Sequence, residues 1–339
     1  MNPLAAPTPW WRRLTTTLGP FLALAVLWVG FALAVRQATG SDGNPWAFVA
    51  WRNQHLILVQ SAIVSIAACG IVLVIVAGGI DLSIGSVIAL AGVVAAKLVS
   101  SGCDPLLAIA AAMMAGAAVG LLNGALVATT GITPFIVTLG SLGAIRGLAK
   151  GLADNQTVNM PSTWLDVLMR PFHSPGEAAW LQALPVAPGV VVAAVVALLM
   201  AVVLRRSVFG RHCYALGSNP SAARLCGIAV GRTTILVYVI SGALVGLAGL
   251  LEAAKLHQGD PTTAAGRELD AIAAAVIGGA SLAGGSGTVL GAVLGALIMG
   301  VLRNGSQMLE WPTWVQEIII GVVIVVAVGI DRWRSLRRS

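Results

Sequence analysis

The chain has 339 residues, of which 58% are hydrophobic and only 10% charged, with a formal net charge of +7 and a mean hydropathy of +0.91. Soluble domains carry about 25% charged residues, so this composition excludes an ordinary soluble fold and points into lipid. The positive balance does not point to nucleic acid, because the arginines flank apolar runs and form no continuous basic face.

A hydrocarbon core about 30 Å thick is crossed by roughly 20 apolar residues in a helix. Apolar runs lie at 18–35, 56–77, 84–98, 106–128, 134–152, 190–204, 233–254 and 314–330. Between Ile272 and Val301 the run has room for two further short crossings, cut by Gly278-Gly279 and by Gly284-Gly285-Ser286-Gly287. The expected fold is an all-α polytopic membrane protein, a single transmembrane domain over 1–339 with about ten helices, some short or glycine-broken. A membrane β-barrel would need alternating apolar and polar residues, whereas these runs are solid.

Positive charge marks the cytoplasmic ends. Arg12 and Arg13 precede the first run, five arginines lie within 205–232 and four within 332–338. An even number of crossings, six of them between the first two clusters, places 1–17, 205–232 and 332–339 in the cytoplasm. Ala32-Leu33-Ala34 resembles a signal-peptide cleavage site, but the run is read as a first crossing, and the later topology is the same either way.

After the run at 56–77 comes a glycine-rich break. Gly78, Gly79 and Gly85 allow the backbone to unwind, Asp81 is a costly charge at membrane level, and the Ser83 hydroxyl is expected to cap the next helix. Asp81 is read as structural, bracing a joint, because a neutral solute needs no buried counter-charge. Gly116, Gly120 and Gly124 recur at four-residue intervals on one helix face and predict close helix contact. Asn123 beside them is expected to bond across helices, with a passing hydroxyl-rich solute as the alternative. Arg146 with Lys150, and Glu252 with Lys255, are read as snorkelling to the outer interface.

The outward loop 153–188 carries Trp164 and Trp180, with a short amphipathic segment at 164–169. It serves equally as an interfacial belt or as a receiving surface for an extracytoplasmic partner. Cys69, Cys103, Cys213 and Cys226 are scattered, as are His55, His173, His212 and His257, so no disulfide or metal framework emerges. The inner loop is more telling. Asn219 and Pro220 start a short helix that runs to Cys226 and ends at Gly227, a left-handed cap.

Farther on, Glu268 and Asp270 open a segment after an outward loop, where a helix dipole favours carboxylates, with an outer gate as the sharper reading. Gly278, Gly279, Leu282, Gly285, Ser286 and Leu290 repeat Gly78, Gly79, Leu82, Gly85, Ser86 and Leu90 two hundred residues on, as an internal duplication would. Gly287, Gly291 and Gly295 form a second glycine trio. Gly78, Gly79, Asp81, Ser83, Asn123, Gly278, Gly279 and Ser281 are therefore candidates for a pathway or its helix breaks.

Ser221, Ala222, Ala223 and Gly227 match the Glu-Ala-Ala-x-x-x-Gly pattern of ABC importer permeases, although Ser221 replaces the glutamate and no Ile-x-Leu-Pro follows. Residues 217–228 are closer to one branch, and the chain resembles the ribose-type monosaccharide permeases there. The resemblance extends to 78–86, to 133–140 leading into 146–149, to 268–274, to 278–282 and to 284–288, and covers about 56–331. It implies a permease of the bacterial inner membrane, homodimeric or paired, with two ABC ATPase subunits inside and a periplasmic sugar-binding protein outside. It also implies a coupling role for Asn219, Ser221, Ala222, Ala223, Arg224 and Gly227. No Gly-x-x-x-x-Gly-Lys-Ser/Thr phosphate loop occurs, so ATP and Mg belong to the partner ATPase, with no cofactor or catalytic residue expected here. A secondary transporter driven by an ion gradient, with Asp81 or Glu252 as coupling acid, is the alternative. An intramembrane enzyme would need a Ser-Lys or metal constellation, and none is apparent.

Overall fold

The structure, a computed structural model, describes residues 10–38, 44–170 and 185–336. His173, Trp180, and the ends at 1–9 and 337–339 lie outside the described residues. Thirteen helices are described: α1 Trp10–Ala38, α2 Trp51–Val76, α3 Ile84–Ser100, α4 Pro105–Thr130, α5 Pro134–Leu152, α6 Leu165–Met169, α7 Pro188–Arg206, α8 Val208–Ser218, α9 Pro220–Leu225, α10 Val230–Leu256, α11 Arg267–Ile277, α12 Val289–Met308 and α13 Thr313–Leu336. Two short strands, β1 (Val158–Asn159) and β2 (Gln258–Gly259), pair antiparallel in the outer loops, with Val158 opposite Gly259.

Local chemistry fixes most helix ends. Proline occupies the first turn of α4, α5, α7 and α9, where its missing N–H costs nothing. Asp104 caps α4 by accepting from the Leu106 N–H at 2.7 Å, and Thr288 caps α12 by accepting from the Gly291 N–H at 3.1 Å. Gly78 (φ +86°) closes α2: its N–H reaches the Ile75 carbonyl and the Gly79 N–H reaches Val74.

Seven helices are long and apolar enough to cross a membrane, and two shorter apolar ones, Ile84–Ser100 and Thr313–Val326, join them among the described residues. The tenth segment is α11, whose 11 residues reach only about 16 Å at 1.5 Å each. The crossing is finished by irregular chain at 278–288, which meets the inner end of α2. Non-helical backbone at such depth is tolerated only inside protein or along a cavity.

α2 is the axis of the bundle, buried almost throughout and packed by α7, α10, α11 and α12. α10 lies along α4, where the expected glycine contact is found. A β-carbon on Gly116 would strike the Gly242 carbonyl, and one on Gly242 would strike that of Gly116. Gly120 and Gly124 face Tyr238 and Ile235 in the same way. The second trio holds only in part: Gly291 and Gly295 pack on Gly278 and Ala274, but Gly287 lies before the α12 cap, outside the helix.

The two-hundred-residue correspondence also shifts. The left-handed glycines that end α2 and α11 are Gly78 and Gly279, one position out of the sequence register. Gly85 and Ser86 lie in α3, whereas Gly285 and Ser286 lie in the break.

Candidate functional site

The sequence-derived candidates separate into four places, the last being the α11–α12 break. The first is α9. Asn219 accepts from the Ala222 N–H at 2.9 Å through its side chain, and Gly227 adopts φ +82°. The Ile228 N–H returns to the Ala223 carbonyl at 3.1 Å, completing the expected C-terminal cap. The helix ends at Leu225, with Cys226 as cap. Ala223 alone of its residues is buried, while Ser221, Ala222, Arg224, Leu225, Cys226 and Gly227 are exposed. Leu225 is 89% exposed, an unusual state for a leucine beside apolar spans.

The second place is the break between α2 and α3. Asp81 and Ser83 are buried there, and Asn123 on α4 is fully buried with them. The Ser83 N–H and hydroxyl donate to Asp81 Oδ1 at 2.8 and 2.6 Å. Asn123 Nδ2 donates to Ser83 Oγ at 3.1 Å, and the Ser141 hydroxyl of α5 donates to Asn123 Oδ1. Asn123 thus bonds across helices. The Ser83 hydroxyl does not cap α3 as expected, because a carboxylate oxygen two residues back is the stronger acceptor. Thr138 and Tyr238 donate to the freed Ile80 carbonyl at 3.2 and 3.4 Å.

The third place is the outer half of α10–α12. Asp270, buried, accepts from Arg303 Nη2 at 2.6 Å and Nε at 3.0 Å, and Arg267 lies 3.7 Å from it. Arg267 also faces Glu252 at 3.7 Å, with Lys255 3.9 Å away. The snorkelling reading of Glu252 and Lys255 is replaced by this inward ionic network. Glu268 accepts from the Gly266 N–H at 3.2 Å, and its other oxygen packs on Gly85, where no β-carbon would fit. Arg146 turns inward too, donating to the Pro261 carbonyl at 3.0 Å and to that of Thr263. Desolvation in lipid makes inward pairing preferable to a lone cation. Glu268 and Asp270 therefore have separate partners.

Gly278 packs on Gly291, Gly279 (φ +92°) ends α11, and the Ser281 N–H donates to the Ser286 carbonyl at 3.1 Å inside the break. Outside the membrane, burial pushes the Cys213 thiol on α8 up to about 12, and burial likewise raises Tyr214. Tyr214 therefore stays a donor, to the Gly287 carbonyl at 2.7 Å.

Sequence reasoning missed Arg303, Tyr238, Ser141 and Gly217. It also missed the reciprocal pair Asn53–Asn304, whose amides exchange two hydrogen bonds of 2.9 Å between α2 and α12. Ser141 and Tyr238 are polar residues inside apolar runs, which is the one signal available for them; Asn53, Arg303 and Asn304 flank such runs, and Gly217 lies in the inner polar loop.

A multi-span helical bundle with glycine-broken crossings and an exposed, capped helix on its arginine-rich side is a polytopic membrane protein. The family described as the permease component of the branched-chain amino acid transport system matches residues 55–328. The chain belongs to this permease family. It is 40% identical over 307 residues to the ribose import permease protein RbsC of Escherichia coli K12, covering 88% of this chain and 91% of that one. It is 36% identical to the D-allose transport system permease protein AlsC of the same strain (304 residues; 89% and 90%). It is also 36% identical to the xylose transport system permease protein XylH of Haemophilus influenzae (352 residues; 88% and 94%). No solved structure matches. The chain is accordingly a multi-pass permease subunit of the ABC-importer kind, a transport component and not a catalyst.

Proposed function

We propose that this chain passes a monosaccharide or similar small polyol inward across the bacterial inner membrane, driven by ATP that a partner ABC ATPase hydrolyses. The observation that carries the ATP-driven reading is α9. A six-residue helix is too short to persist alone; here it is capped at both ends and sealed onto the protein by Ala223, with its remaining face open. Asn219, Ser221, Ala222, Arg224 and Gly227 form the surface on which the ATPase docks, with Ala223 seating the helix against the permease. Sugar as the solute class is supported by the relatives, named as permeases for ribose, allose and xylose, with a periplasmic binding protein delivering the solute.

The Asp81–Ser83–Asn123 network is internal to one chain, so it braces a joint of the pathway. The path itself lies beside α5. Gly140, Gly143, Gly147 and Gly151 share one face of α5 and meet nothing within 4 Å. Both α5 and α7 expose large apolar side chains, Phe135, Ile136, Leu139 and Leu148 on the one and Val191, Val195, Leu198 and Leu199 on the other, so the glycines are what set α5 apart. A glycine face lets a second helix approach closely, and a second permease copy fills it, the solute passing between the two. Glu268 and Asp270, with Arg146 holding the loop at 261–263, form the outer gate.

Cys226, exposed beside Gly227, reports on docking directly. In inside-out vesicles it is labelled by a membrane-impermeant maleimide, and bound ATPase protects it. Equal labelling with and without bound ATPase contradicts the docking surface.

A further inference from the structure

We propose that Gly217, at the end of α8, is a positioning residue that carries the movement of α9 into both helix breaks of the permease. The inference rests on α9 being the ATPase-docking helix. α8 and α9 are separated by a single residue, Asn219, which caps the C-terminus of one and the N-terminus of the other. Its backbone N–H returns to Ala215 at 3.0 Å while its side chain holds Ala222 at 2.9 Å. With no loop between them, a tilt of α9 is a tilt of α8.

The end of α8 that adjoins α9 is seated where two other segments meet. A β-carbon on Gly217 would strike the Val76 carbonyl at the end of α2 and lie 2.6 Å from the Gly285 amide nitrogen. One on Gly284 would lie 2.6 Å from the Gly217 carbonyl oxygen and 3.0 Å from Cα of Gly78. Three backbones therefore touch with no side chain between them, at Gly78, Gly217 and Gly284. The contact is bonded as well as packed: the Gly285 N–H donates to Val76 at 2.9 Å, and Tyr214, one turn back on α8, donates to Gly287 at 2.7 Å.

What lies beyond the junction gives it a use. On one side, Gly78 is the hinge that leads to Asp81 and the braced break before α3. On the other, 284–287 is the irregular half of the α11–α12 crossing, whose helical half carries Glu268 and Asp270. Side-chain contacts can slide past one another by changing rotamer, whereas backbone against backbone has no rotamers and passes displacement on. A push on α9 thus reaches the inner end of α2 and the α11–α12 crossing together.

The test compares Gly217→Ala and Tyr214→Phe in the reconstituted complex of permease, ATPase and binding protein, reading solute uptake per ATP hydrolysed. Gly231→Ala, whose β-carbon meets Ala128 at an ordinary 3.8 Å, is the control. Both junction variants are expected to keep ATPase bound and hydrolysing while uptake per ATP falls at least about fivefold, the small end of coupling between distant sites. A merely structural role lowers folded protein and leaves that ratio unchanged. If Gly217→Ala does not accumulate, Tyr214→Phe decides, since it removes one hydroxyl and no volume. Wild-type ratios in the variants that fold overturn the proposal. An Ala222→Trp arm, on the exposed face of α9, separates the two readings. If it leaves ATPase binding and uptake intact, α9 is not the docking helix; if it abolishes them while the junction variants stay coupled, only the relay fails.

Discussion

Replacing Asp81 tests whether its charge or its hydrogen bonds matter. Oδ1 accepts both bonds from Ser83, at 2.8 and 2.6 Å. In Asp81→Asn the amide oxygen remains in place and accepts both, so the break keeps its shape; the stability change is expected to stay within about 1 kcal/mol, weaker bonds being offset by a smaller desolvation cost. Asp81→Leu removes both and strands the Ser83 N–H at the start of α3, costing about 3 kcal/mol at roughly 1.5 per bond. That is a large share of the about 5–15 kcal/mol that holds a folded chain. The thermal midpoint in detergent and ATP-driven uptake, measured on the same preparations, are expected to be near wild type for the asparagine variant and both low for leucine. An asparagine variant that is stable but inactive in uptake refutes the reasoning, because it would show that the carboxylate's charge is used, as an ion-coupled carrier would use it.

The Asn53–Asn304 pair predicts a non-additive cycle: Asn53→Leu strands the Asn304 amide, and Asn304→Leu strands the Asn53 amide oxygen while its Nδ2 keeps the Phe48 carbonyl at 2.9 Å, each costing about 1–3 kcal/mol, while the double variant costs less than their sum; additive losses in detergent unfolding contradict the pairing. Gly116→Leu on α4 is expected to separate α4 from α10 and abolish accumulation of folded protein, whereas Gly189→Ala, facing Met169 and the Leu168 carbonyl, loses only the outer α6 contact, which size-exclusion profiles of the two variants will distinguish. Cys226, exposed, is expected to react with a thiol reagent throughout pH 7 to 9, whereas Cys213, buried and pushed up to about 12, stays unlabelled over that range in a mass-spectrometric time course; equal labelling rates contradict its seat in α8.

How far the sequence could be read depended on whether the information was local. The spans follow from composition, since lipid leaves the chain no other way to satisfy its backbone. The ends of α9 follow from Asn219 and Gly227, whose cap bonds reach no farther than a few residues. The end of α2 at Gly78 is legible for the same reason. Partners across the bundle were not legible. A helix in lipid is apolar on every face, so α2 at the axis and α7 at the rim read alike, and periodicity does not say which residues meet. Arg146 looked like an interfacial cation because its partners, two backbone carbonyls more than a hundred residues away, carry no sequence signature. Gly217 was overlooked as one glycine among 40; its importance lies in what touches it. Ser83 was assigned its commonest local role and lost it to a carboxylate two positions away.

Uptake into proteoliposomes holding the permease alone, or the permease with its ATPase and binding protein, tests the central claim most directly. The account predicts vanadate-sensitive, ATP-dependent accumulation of a monosaccharide only with all partners present, and none with an imposed proton or sodium gradient. Gradient-driven uptake by the chain alone would contradict it.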